Sequence, residues 1–415
     1  MTALATLTVM ATSSQGGWDA RNCAKAIQCL RRGGDPYAQG IAAQQTFHNR
    51  PASNVADHAP LTYVYSPLTL PVLRVLARLP DGLLAVLFWT AVAAGFLLTL
   101  WAGFKMATEQ ERAWLVLLLP AVAFFPGLIT DDVILSGNVA YVLYGPILAA
   151  AILGWKRDRW FCYYLTVFAA SSCKAPFLTL LAFPVLVGRR QWLPAGSTAA
   201  AGVLLIVGEA RLWPALFSEY VSVLRLMCVQ SHDFGYGPAG ILGRFLWNQG
   251  RPYSSETSLM YLASAGAIGL VLLILADQVR HERLSRDSWI PVALVGTFLL
   301  SPRIMKYDMA PITIPMVLIA SRGLRALLQS SQAEDLSESS SSNRLLVVGA
   351  GCFLIPNLLT VFGPTWWPIE LIVLLTTFAI GACALPRPNP QIDLQIPPSL
   401  ADAIGDPAFE MPAVN

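Results

Sequence analysis

Long, nearly uncharged apolar runs alternate with short charged connectors along most of the chain. They fall at Leu83–Phe104, Ala113–Ile129, Val139–Gly154, Gly196–Gly208, Ser258–Ala276, Trp289–Leu300, Pro311–Ser321, Leu345–Phe362 and Ile369–Leu385. A further run, Trp160–Gly188, is longer than one span requires, and Lys174-Ala175-Pro176 interrupts it near its middle. That break predicts a hairpin of two short helices. In lipid, backbone polar groups find no water, and these runs lack the alternation of a barrel strand, so each is predicted to be helical. The expected fold class is an all-α polytopic membrane bundle of about 11–12 transmembrane helices, several of them shorter than the roughly 20 residues of a full span.

Composition agrees with this reading. Of 415 residues, 55% are apolar and 13% charged, against roughly a quarter charged in soluble domains. Mean hydropathy is +0.54. A disordered chain, a secreted disulfide scaffold and an ordinary cytosolic enzyme are excluded. Half of the 28 lysines and arginines share one side if Leu83–Phe104 runs from outside to inside, among them Lys105, Lys156, Arg189, Arg280 and Arg322; basic connectors stay inside. The net charge of +3 needs no further explanation and points to no nucleic-acid partner.

The same topology divides the chain into segments. Residues 1–12 form part of a first span, and 13–81 form a long outer loop with interfacial helices. Residues 82–210 hold transmembrane helices, and 211–256 form a second outer loop. The remaining spans lie within 257–385, around a flexible inside linker at 329–343, and 386–415 form a disordered inside tail. No inverted repeat of the transporter kind is visible. The cysteine spacings match no metal site. Cys23 and Cys29 are either a pair in an oxidising compartment or two small core residues.

Uncommon polar residues gather on the outer side. Trp18-Asp19 precedes a helical stretch, Ala20–Arg32, that Gly33-Gly34 and Asp35-Pro36 bring to a stop. Asp19 suits the N-cap of that helix as well as a chemical role. Tyr63-Val64-Tyr65-Ser66-Pro67 opens an apolar stretch to Leu79 that reads as an interfacial or re-entrant helix. Asp131-Asp132 is either a binding pair or a solvated turn before the helix opened by Ser136-Gly137-Asn138. His232-Asp233 leads into Gly235, Gly237, Gly240 and Gly243, which follow no strand and read as a flexible lid or loop. Arg303 and Lys306 form a basic turn between spans, either an anion site or a pair of headgroup anchors. Lys174, between two short apolar halves, requires an anionic ligand or an acidic neighbour such as Asp131 or Asp132.

The order Trp18-Asp19, Gly33-Gly34-Asp35-Pro36-Tyr37, Tyr63-Val64-Tyr65-Ser66-Pro67-Leu68, Ser136-Gly137-Asn138-Val139, Lys174-Ala175-Pro176 and Ser301-Pro302 resembles glycosyltransferase family 87. Members of that family are integral-membrane enzymes of the GT-C type. Asn138 stands where the family more often has glutamine. The resemblance implies transfer of a hexose, mannose first among them, from a polyprenyl-phosphate sugar donor to a lipid or glycan acceptor. The reaction would take place on the outer face of the plasma membrane, in a bacterium the cytoplasmic membrane. It implies Asp19 as catalytic base. Asp131, Asp132, Asn138, Tyr63, Tyr65 and His232 are then candidates for substrate binding, and Arg303, Lys306 and Lys174 for the donor phosphate. No cofactor or divalent metal is expected, because the leaving group is a monophosphate with cations beside it. The rival readings are a transporter or flippase without chemistry, a GT-C transferase for another sugar, and an inactive member.

Overall fold

The structure, a computed structural model, describes residues 17–48, 62–109, 111–113, 115–116, 133, 137–230, 235–251, 255–332 and 369–383. Every regular element among them is helical. The polar segments supply α1 (Trp18–Arg31), α2 (Pro36–His48) and α3 (Thr69–Leu76). The bundle follows with α4 (Asp81–Met106), α5 (Ala140–Arg157), α6 (Phe161–Ser171), a 3-10 turn (Ala175–Leu181), α7 (Ala182–Val187) and α8 (Trp192–Leu212). Then come α9 (Pro214–Gln230), α10 (Pro238–Asn248), α11 (Ser255–Arg280), α12 (Arg286–Leu299), the short α13 (Lys306–Met309), α14 (Thr313–Gln332) and α15 (Ile369–Cys383).

The protein is an all-α membrane protein. Among the described residues α4, α8 and α11 are long and apolar enough to cross a membrane, and α6, the 175–187 segment and α15 are shorter apolar helices. The expected hairpin is present: α6 ends at Ser171, and the chain reverses through Lys174 into the 3-10 turn. The expected spans at Ala113–Ile129 (for the most part) and Leu345–Phe362 lie outside the described residues, as do 1–12, 386–415 and the linker beyond Gln332.

The core forms where α4, α5, α6, α12, α14 and α15 meet. Helix α5 is buried on nearly all sides. It crosses α4 backbone to backbone: a β-carbon at Gly95 would sit on the carbonyl of Tyr141, and one at Gly145 on the carbonyl of Gly95. Small residues let two helices approach in this way where lipid gives no hydrophobic drive to association. Phe96 and Tyr141 close the seam edge to face, with ring centres 5.3 Å apart. The outward faces of α4, α8 and α11 carry exposed Leu97, Leu204 and Leu262. Apolar residues so exposed suit contact with lipid tails.

Ion pairs fix both ends of the bundle. At one end the Arg322 guanidinium donates to both Glu111 oxygens, at 2.9 and 3.0 Å, and to the carbonyl of Met106 at 3.2 Å. Burial alone would raise the Glu111 carboxyl, but Arg322 and the Thr108 N–H hold it below its usual value. Its stabilisation is therefore present above the ordinary carboxylate range and is lost as pH falls through the lowered value. Arg322→Met leaves a nearly buried carboxylate (4% exposed) without its cation. We expect a loss of about 3–5 kcal/mol, read as a lower thermal midpoint in detergent. Glu111→Gln added to it should recover part of that loss. At the other end Arg31 donates to Ala77 O, Leu79 O and Asp81 Oδ1 at 2.8, 2.6 and 2.6 Å, seating the end of α1 on the start of α4.

Three local expectations change. Helix α1 starts at Trp18 with Gly17 as N-cap, so Asp19 lies in the first turn and does not cap the helix. Asp35-Pro36 does more than end a helix: Asp35 Oδ1 accepts the N–H of Tyr37 at 2.8 Å and opens α2. Cys23 and Cys29 are separate thiols. Both stand on α1, where six residues of helix rise about 9 Å, beyond the reach of a disulfide.

Candidate functional site

The polar end of the bundle brings distant parts of the chain to one place. Gly137, at φ 64, faces α1 so closely that a β-carbon there would lie 2.8 Å from the Ala20 β-carbon. This contact sets Asn138 beside Asp19. Asn138 is 2% exposed, and its Nδ2 donates to Asp19 Oδ2 at 2.6 Å. Its Oδ1 accepts the N–H of Ala140 at 2.9 Å.

Lys174 stands at the tip of the hairpin. Its Nζ is 3.8 Å from Asp308 Oδ1. It also lies 5.5 Å from the ring centre of Tyr65 and 5.0 Å from that of Tyr307, close enough for attraction to the ring faces. The acidic neighbour required by Lys174 is thus Asp308, a residue of the basic turn itself. Asp308 also accepts the N–H of Met305 at 3.2 Å, which holds the shape of that turn. A cavity of about 150 Å³ opens here, lined by Lys174, Arg303, Asp308, Tyr144, Tyr220 and Tyr307 among others.

Cys23 and Tyr65 connect the two groups. Burial pushes the Cys23 thiol up to about 12, with Asp19 adding to the rise and Lys174 opposing it. Burial likewise raises the Tyr65 hydroxyl well above its usual value, and Cys23, Asp19 and Tyr307 contribute. The Cys23 thiol therefore lies within electrostatic range of both a carboxylate, Asp19, and a cation, Lys174.

Other expected residues take different places. Tyr63 lies behind the cavity, packed on Tyr37 at 5.8 Å and bonded through its hydroxyl to Thr69 at 2.6 Å. Arg303 is on the cavity wall, and Lys306 is the first residue of α13. Asp131, Asp132 and His232 lie outside the described residues. The glycine-rich segment divides in two. Tyr236 N donates to Ile304 O at 2.6 Å, which docks Gly235–Gly237 on the basic turn, while Gly240 and Gly243 belong to α10. No three His, Cys, Asp or Glu side chains among the described residues are grouped to hold a metal ion.

Cys23, Tyr220, Tyr307 and Asp308 escaped sequence reasoning. Asp308 and Tyr307 adjoin the basic turn already singled out, and that proximity was the available signal. A second acidic contact also escaped it. The Asp35 carboxyl before α2 acts on Glu219 of α9, and this neighbour, with burial, raises the Glu219 carboxyl to about 7. A raised carboxyl stabilises the fold fully below the unfolded value of 4.5 and loses that contribution as pH rises through about 7. Between about pH 5 and 8 the thermal midpoint should fall in the wild type, and Glu219→Gln should flatten that slope.

An all-α membrane bundle with a carboxylate, a paired cation and a tyrosine-lined cavity at one end defines the class: a membrane protein with a polar site at the mouth of its helices. The chain belongs to glycosyltransferase family 87, whose family model matches residues 63–302, more than half of its length. It is a glycosyltransferase, which decides for sugar transfer over transport without chemistry. The matched stretch contains Tyr63, Tyr65, Asn138 and Lys174, begins after Asp19 and ends one residue before Arg303. Neither a curated protein nor a solved structure matches the chain.

Proposed function

We propose that this glycosyltransferase moves a hexose, mannose first among the candidates, from a polyprenyl-phosphate sugar to a lipid or glycan acceptor on the outer face of the plasma membrane. The observation that supports the reading is that Asp19 and Lys174 both act on the buried Cys23 thiol, with Lys174 on the wall of the cavity. A sugar hydroxyl is a poor nucleophile until a carboxylate takes its proton. Asp19 performs that step as the hydroxyl oxygen attacks the anomeric carbon. The bond from that carbon to the phosphate oxygen breaks, the polyprenyl phosphate leaves with the electron pair, and one displacement inverts the anomeric centre.

Lys174, Arg303 and Lys306 stabilise the charge that grows on the departing oxygen. Phe177, Pro176 and Leu224 on the cavity wall offer apolar surface to the first part of the prenyl chain. Asp131, Asp132 and His232 orient the acceptor. No divalent ion is required, since side-chain cations meet a monophosphate directly. The outer-face assignment rests on the basic connectors at the opposite end of the bundle.

The test is transfer of radiolabelled mannose from polyprenyl-phosphate mannose in membranes that contain the protein, with the nucleotide-sugar donor as control. Transfer from the lipid donor alone supports the reading. Transfer only from the nucleotide sugar, or from neither, refutes it.

A further inference from the structure

Asn138 has little exposed surface with which to bind a sugar. The residue is 2% exposed, and both ends of its carboxamide meet protein: Oδ1 accepts the Ala140 N–H, and Nδ2 donates a hydrogen bond to Asp19. The first bond fixes the second. Because the oxygen must face a backbone donor, the nitrogen must face the carboxylate, which settles the orientation of the amide. The segment carrying Asn138 is itself held, by Asn138 N donating to Val133 O at 3.1 Å and by the contact of Gly137 with Ala20.

We propose that Asn138 is a positioning residue: its amide holds the Asp19 carboxylate in one rotamer and in its ionised, proton-accepting form. The inference rests on Asp19 being the base. A donor on one carboxylate oxygen stabilises the charged form and fixes the direction in which the carboxylate points. A side chain of the same size that accepts instead of donating reverses both effects. Among the described residues, Cys23 on α1 and Tyr65 on the segment before α3 lie within electrostatic range of Asp19, and Lys174 at the hairpin tip acts on the same Cys23. Cys23 and Tyr65 stay neutral through the range tested, because burial raises both.

Asn138→Asp is nearly isosteric and keeps the Ala140 bond while placing a second carboxylate against Asp19. The readout is labelling of Asp19 by a hydrophobic carbodiimide, which reacts with protonated carboxyl groups. It is followed by mass spectrometry across pH on the full-length protein in detergent, and it requires no donor sugar. The pH of half-labelling should rise by about one unit or more in Asn138→Asp and by less in Asn138→Ala. Where transfer is measurable, the acid limb of its pH profile should move with it. An unchanged half-labelling pH in both variants overturns the proposal, even if transfer falls, because a merely structural role lowers activity without moving that value. Full transfer by Asp19→Asn would instead overturn Asp19 as base, and the labelling result would still stand on its own.

Discussion

Asp19→Asn leaves the protein folded and inserted but lowers sugar transfer by roughly 10²–10⁴-fold, the usual contribution of a positioned general base. The substitution preserves size, so α1 keeps its first turn, and Arg31 keeps its bonds to Ala77, Leu79 and Asp81. On the proposed mechanism, what disappears is the proton acceptor for the sugar hydroxyl. The loss should lie in kcat rather than in donor affinity, because on the proposed mechanism Asp19 meets the acceptor hydroxyl and the donor phosphate is held by Lys174 on the cavity wall. Initial rates against donor concentration check this. A variant within a few-fold of wild-type kcat removes Asp19 from the chemistry.

Lys174→Met should lower transfer by roughly 10²–10³-fold, the scale found when one group that stabilises developing negative charge is removed. Two effects combine in that number. The leaving phosphate loses a cation, and Asp308 loses the charge 3.8 Å away. The double variant Lys174→Met, Asp308→Asn separates them. If the ion pair serves only the fold, neutralising both partners restores stability and transfer together. If Lys174 serves the phosphate, stability returns and transfer does not. Thermal midpoint and initial rate, measured on the same preparations, give the answer.

Much of the fold was legible because lipid imposes a simple rule on sequence: few charges, and helix wherever the chain crosses. The break at Lys174-Ala175-Pro176 was visible for the same reason, since a lysine between short apolar halves must face a partner. Which partner was not visible. Asp308 adjoins the basic turn but lies far along the chain from Lys174, so its place there does not by itself select it over Asp131 or Asp132. The bond between Asp19 and Asn138 spans 119 positions, and an asparagine facing inward looks the same in sequence as one facing substrate. Tyr63 and Tyr65 lie two residues apart in one motif, yet Tyr63 packs on Tyr37 while Tyr65 turns its ring to Lys174. The irregular backbone of that segment decides this, and no periodic pattern records it. The start of α1 was misjudged because Gly17 caps with its backbone alone and leaves no polar side chain as a marker.

The seam at Gly95 and Gly145 bears on how such an enzyme can open. Two helices in contact through their main chains have no side-chain layer between them to slide or compress. They move as one plate, and the plate carries Asn138 at its edge. On the proposed reaction, admission of the donor and release of the product then fall to elements outside that plate.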